Sequence, residues 1–166
     1  MYLNLLKTVV SCIGILFYTQ TIRSQMARIR LEAPENFHFT TTIKLRISDI
    51  NYGGHLGNDT FLSLAHEARL QFLAQYGWSE MDVAGTGIIQ ADTAIVYKSE
   101  GFYGDHIEIS IAVFDIHRLG FDLFYTMKNL TTGKELAQVK IGVVCFDYSI
   151  KKVVALSEVF KNVFEV

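Results

Sequence analysis

Between His38 and Ile47 (HFTTTIKLRI) apolar and polar residues alternate loosely and β-branched types crowd together, the period-two pattern of a strand. The pattern then breaks: SDINYGGHLGN, from Ser48 to Asn58, is polar and glycine-rich and predicts a turn. From about Asp59 to Tyr76 the period lengthens, with Phe61, Leu64, Ala65, Ala68, Phe72 and Leu73 recurring at helical spacing. Asn58 suits the N-cap, Asp59 the positive end of the helix dipole and Gly77 the stop. Strand-like runs follow near 87–98, 106–116, 120–129 and 135–147, separated by Gly101, Gly104, Gly120 and the turn from Asn129 to Gly133. A short amphipathic helix from about Leu156 to Phe164 comes after the last run. A strand, one long helix and then strands in close succession predict an α+β domain, its antiparallel sheet carrying the helix on one face.

Composition narrows the class. Of 166 residues, 50% are hydrophobic and 19% charged, which provides a core for one domain and excludes a disordered chain. The net charge is −2 and the cations are scattered, so no basic face for nucleic acid is expected, although a few local cations suffice for an anionic small molecule. Cys12 and Cys145 are too few for a disulfide framework, and no Cys-His cluster suggests a metal. A reducing cytoplasm fits that usage.

The segment from Leu5 to Tyr18 (LLKTVVSCIGILFY) is apolar, but its uninterrupted part is short for a spanning helix, which needs roughly 20 residues. Two readings of residues 1–25 stay open. They form a membrane-associated or packed helix, or they are dispensable, with translation starting at Met26. The working domain is expected over 26–166.

SDINYGGHLGN followed by FLSLAHEARLQFL resembles the turn and helix start of the 4-hydroxybenzoyl-CoA thioesterase-like family. Asp49, Gly54, His55 and Asn58 match its turn; Phe61, Leu62, Ala68 and Arg69 match its helix. YKSEGFYGD, from Tyr97 to Asp105, resembles its strand end and Gly-Asp turn, and the resemblance spans roughly residues 38–147. It implies a hotdog fold, a curled antiparallel sheet wrapped around one long helix. It also implies hydrolysis of an acyl-CoA to a free acid and CoA without a cofactor, in a homodimer joined edge to edge that often pairs again into a homotetramer. Two positions depart from the pattern. Asn51 stands where many members carry the catalytic aspartate, and His66 where the helix glutamate is usual, with Glu67 displaced by one residue.

Thioester hydrolysis needs an activated water or nucleophile and donors for the oxyanion. The segment Gly53, Gly54, His55, Leu56, Gly57 and Asn58 can offer backbone N–H groups at a helix N-terminus. Asp49 can orient a water or hold His55, or simply cap its turn. His55 can act as a base or hydrogen-bond the carbonyl. Asn51 cannot act as a carboxylate, yet it can orient water or favour a tight turn. Glu67 lies on a polar helix side, either solvated or serving as the base of a partner subunit's site. His66 is expected as a buried partner of Arg46 or Asp49. Lys98, Arg69 and Arg118 are candidate phosphate contacts, and Tyr52, Phe61 and Trp78 either line an acyl pocket or fill the core. Beside the thioesterase stands a binding module that keeps the pocket without turnover.

Overall fold

The computed structural model describes residues 29–164. The expectations for residues 1–25 lie outside the described residues. Within them, strand β1 (Phe39–Lys44) leads through a short 3-10 turn (Ile47–Asp49) to helix α1 (Thr60–Gln75). Strands β2 (Gly87–Tyr97), β3 (His106–His117), β4 (Gly120–Asn129), β5 (Glu135–Asp147) and β6 (Lys152–Val153) follow, then helix α2 (Glu158–Phe164). The sheet is antiparallel throughout in the order β1-β3-β4-β5-β2, with β6 beside β5. Sheet and helix form the α+β hotdog arrangement that the sequence predicts.

Alternation decides which face of the sheet meets the helix. Ile107, Ile109, Ile111 and Val113 of β3 enter one core with Phe121, Leu123, Tyr125 and Met127 of β4 and Val139, Ile141, Val143 and Cys145 of β5. Phe61, Leu64, Ala65, Ala68, Phe72 and Leu73 of α1 fill the same core. Each of the large aliphatic and phenylalanine side chains among them, removed from water, is worth roughly 1.5–3 kcal/mol. Helix α2 closes one end: Phe160 stacks on Phe121 at 4.2 Å between ring centroids and on Trp78 at 5.7 Å. Trp78 therefore packs in this aromatic cluster. Among the described residues no helix is long and apolar enough to cross a membrane.

The observed α1 is one residue shorter at each end than the expected helix. Its N-cap is Asp59, not Asn58, and no side chain caps it. Its stop is Gly77 at φ +72, where Gly77 N–H bonds the Ala74 carbonyl at 3.0 Å and Trp78 N–H the Leu73 carbonyl at 3.0 Å, a Schellman closure.

Before β1, His38 Nδ1 accepts the Val113 N–H at 3.0 Å, while its ring meets Phe164 edge-on at 5.2 Å. Burial lowers the imidazole pKa from its usual 6.5, and the acceptor role requires a neutral ring. The unfolded chain therefore takes up this proton more readily than the folded one. The contribution is complete above pH 6.5 and falls as the pH drops through that value towards the lowered pKa. Urea midpoints measured at pH 8 and pH 5 should fall less for His38→Asn, whose Oδ1 stands where Nδ1 does and accepts the same N–H without titrating, than for the wild type.

Candidate active site

The turn before α1 is held together by its own backbone. Asp49 is buried, and its carboxylate accepts the Arg46 N–H at 2.7 Å and the Ser48 hydroxyl at 3.3 Å, closing the 3-10 turn. Asn51 N–H donates to the His55 carbonyl at 2.9 Å, and Gly54 N–H returns to the Asn51 carbonyl at 3.0 Å with Gly54 at φ +80. Gly53 N–H donates to Asn51 Oδ1 at 2.8 Å, an Asx-type turn. Gly57 N–H reaches the Asp49 carbonyl at 3.0 Å, and Leu56 N–H crosses to the Gly101 carbonyl at 2.8 Å. The amides of Gly53, Gly54 and Gly57 are thus spent inside the turn. Those of Asn58, Asp59 and Phe61, at the start of α1, meet no acceptor among the described residues.

His55 Nδ1 lies 3.2 Å from the Leu56 carbonyl and 3.5 Å from the Asn51 amide nitrogen. The shorter contact assigns the hydrogen to Nδ1 and leaves a lone pair on Nε2. The ring rests over Gly53, where a Cβ would stand 3.0 Å from Nε2.

The start of α1 and the end of β2 enclose a cleft of about 240 Å³ lined by His55, Asn58, Phe61, Tyr97, Lys98 and Glu100, with Leu56 and Ser99 completing it. Tyr97 ties the two walls together: its hydroxyl donates to the Asn58 carbonyl at 3.1 Å and its ring meets Phe61 edge-on at 5.2 Å. Burial, assisted by the nearby Asp59 carboxylate, raises the Tyr97 pKa and keeps that hydroxyl a donor. Lys98 is held by Glu135 at 2.6 Å.

The structure brings His55 and Asn58 into the cleft, with Asn51 and Gly53 behind the His55 ring. The Asp49 carboxylate is turned to Arg46, and Tyr52 is fully exposed and outside the cleft lining. Glu67 borders a separate groove with Thr42, Lys44, Arg46 and Gln71, and accepts the Gln71 amide at 2.8 Å. His66 is exposed and bonded to Glu80 at 3.0 Å, not a buried partner of Arg46 or Asp49, because the loop after α1 carries Glu80 to it. Among the candidate phosphate contacts only Lys98 lines the cleft. Arg118 follows β3, at the end of that strand away from the loop that joins it to β2.

Arg69 is buried, with Nε and Nη2 both 2.7 Å from Glu80 Oε1. Burial raises the Glu80 pKa, but the hydrogen bond from His66 and the Arg69 charge outweigh it and hold the carboxyl below its ordinary value. Sequence reasoning passed over Tyr97, Ser99 and Glu100. Their signal lay in YKSEGFYGD, which marks the strand end that forms the cleft's second wall. Arg69→Ala removes one of the two partners of Glu80 and leaves it with His66, which should cost about 1.5–3 kcal/mol of stability. A urea titration would show this, while CoA affinity measured on the folded fraction should not change.

The sequence profile of the thioesterase-like superfamily matches residues 45–164. No curated protein matches the chain. Among solved structures, the chain is similar to Slr0204, a 1,4-dihydroxy-2-naphthoyl-CoA thioesterase from Synechocystis, at 18% identity and a TM-score of 0.68, over 76% of this chain and 94% of that one. It is similar to YbaW, a probable thioesterase from Escherichia coli, at 22% identity and a TM-score of 0.66, over 75% and 95% of the two chains. It is also similar to the hypothetical protein SAV2348 from Staphylococcus aureus in complex with CoA, at 16% identity and a TM-score of 0.68, over 79% and 84%.

Proposed function

The chain belongs to the thioesterase-like superfamily, and on that premise we propose that it hydrolyses an acyl-CoA thioester to a free acid and CoA. The observation that carries this reading is the cleft in which His55 stands beside open amides at the start of α1. A thioester carbonyl laid against Asn58, Asp59 and Phe61 has its developing oxyanion met by amide hydrogens and by the positive end of the helix dipole. The Nε2 lone pair of His55 holds the attacking water, and the Leu56 carbonyl, by accepting the Nδ1 hydrogen, sets the ring over Gly53. Lys98, on the cleft wall, suits a CoA phosphate. The CoA complex of SAV2348, which shares the fold, supports a CoA ester as the ligand class.

The outer edge of β2, an 11-residue strand at the end of the sheet, supports an edge-to-edge homodimer, and a second pairing would give a homotetramer. Cys145, a buried free thiol, suits a reducing cytoplasm.

Asp49 and Asn51 favour a second reading, an acyl-thioester-binding module without turnover. The carboxylate in the turn is spent on the Arg46 amide, and the neighbouring polar position is itself an amide. Thiol release from short, long and aromatic acyl-CoAs by the full chain separates the two. Turnover is expected, with His55→Ala lowering kcat/KM about 100-fold. Asn51→Asp should reduce it as well, because Asn51 is fitted to this turn. Tight ester binding with no thiol released, or a large gain from Asn51→Asp, would instead mark a disabled site.

A further inference from the structure

The proposed hydrolysis leaves one role unfilled, that of the group which takes the proton from the attacking water. We propose that Glu100 is this base, an assignment that rests on the thioesterase reading. It is the one carboxylate among the residues lining the cleft with His55. The other acidic groups nearby are engaged or lie outside the cleft lining. Asp49 is buried against the Arg46 amide, and Glu67 lies in the groove beside β1 with its carboxylate on Gln71. Asp59 lies close enough to Tyr97 to raise its pKa, but it is not among the residues that line the cleft.

Glu100 is exposed, and its carboxylate takes no ion pair or hydrogen bond among the described residues, since Lys98 beside it is held by Glu135. Its backbone is pinned on both sides. The Ser99 hydroxyl donates to the Glu135 carbonyl at 2.7 Å, and the Gly101 carbonyl accepts the Leu56 N–H at 2.8 Å. Gly101 sits close against the core, where a Cβ would stand 3.1 Å from Leu136 Cδ1 and 3.2 Å from Leu45 Cδ1. A free carboxylate on a fixed backbone, across the cleft from open helix amides, is what a general base for this attack requires.

In this step one hydrogen of the water bonds His55 Nε2, and the other passes to Glu100 as the water oxygen joins the carbonyl carbon. The oxyanion forms against the amides of α1. Its collapse breaks the C–S bond, the proton on Glu100 passes to the departing thiolate sulfur, and the free acid and the CoA thiol leave with Glu100 again a carboxylate.

The test is kcat and KM of thiol release by the full-length wild type, Glu100→Gln, Glu100→Asp and Glu67→Gln, with circular dichroism melts to establish folding. Glu100→Gln should lower kcat about 100-fold with KM changed less than about threefold. Glu100→Asp should restore part of the rate. Wild-type turnover with Glu100→Gln retaining its kcat overturns the assignment and leaves the thioesterase reading standing. Loss confined to Glu67→Gln overturns it in favour of the helix carboxylate. Absence of thiol release by the wild type from every ester tried overturns both.

Discussion

The site depends on one backbone hydrogen bond, from Leu56 N–H to the Gly101 carbonyl. It joins the turn that feeds α1 to the loop that leaves β2, segments 45 positions apart in sequence. Without it His55 and Asn58 would belong to one loop and Tyr97, Lys98 and Glu100 to another, and no cleft would lie between them. Closing so long a loop costs chain entropy, so the bond needs help from packing. That help comes from Leu45, Leu56 and Leu136, buried around Gly101, where the lack of a side chain lets the strands approach. Tyr97, bonding the Asn58 carbonyl from the opposite wall, makes a second tie across the same gap.

The fold was legible because its signals are periodic and local. The change from period two at His38–Ile47 to helical spacing at Phe61–Leu73 places the first strand and α1, and the later strands announce themselves by their spacing and turns. What escaped is short or depends on distant partners. The 3-10 turn at Ile47–Asp49 rests on a single carboxylate reaching one amide, and β6 is a two-residue strand in a polar run. Arg69 reads as a candidate phosphate contact and His66 as a buried polar partner, and the structure buries the first and exposes the second. The residue that decides both is Glu80, which lies beyond the end of α1 and returns to its face. Periodicity along a helix reports nothing of a partner that arrives from another segment.

The site was half legible for the same reason. The turn residues Asn51 to Asn58 cluster in sequence, so their chemistry can be read together. Glu100 and Tyr97 reach the cleft only through sheet pairing of β2 with β5, which sets where the strand ends. Even within the turn, glycine content suggested open amides at Gly53, Gly54 and Gly57. The structure spends those amides on the turn itself and leaves open the ones that follow. A helix N-terminus always leaves donors unpaired; which residues own them depends on where the turn finishes satisfying itself.

That division explains how an asparagine serves at position 51. Its Oδ1 is committed to the Gly53 N–H, so its amide nitrogen, not a second oxygen, faces the His55 ring. An aspartate could keep the bond to Gly53, but its other oxygen would set a negative charge against His55 Nδ1 and compete with the Leu56 carbonyl for the hydrogen there. The amide keeps this wall of the cleft neutral. Charge then enters the site from the other wall, through Lys98 and Glu100 on the segment after β2, where Lys98 is already balanced by Glu135. A neutral histidine beside open amides and a carboxylate supplied from across the cleft divide the work between two loops. Keeping the charge off the turn leaves the start of α1 as a donor platform held by a rigid turn, and makes the bond between Leu56 and Gly101 the element on which any chemistry there depends.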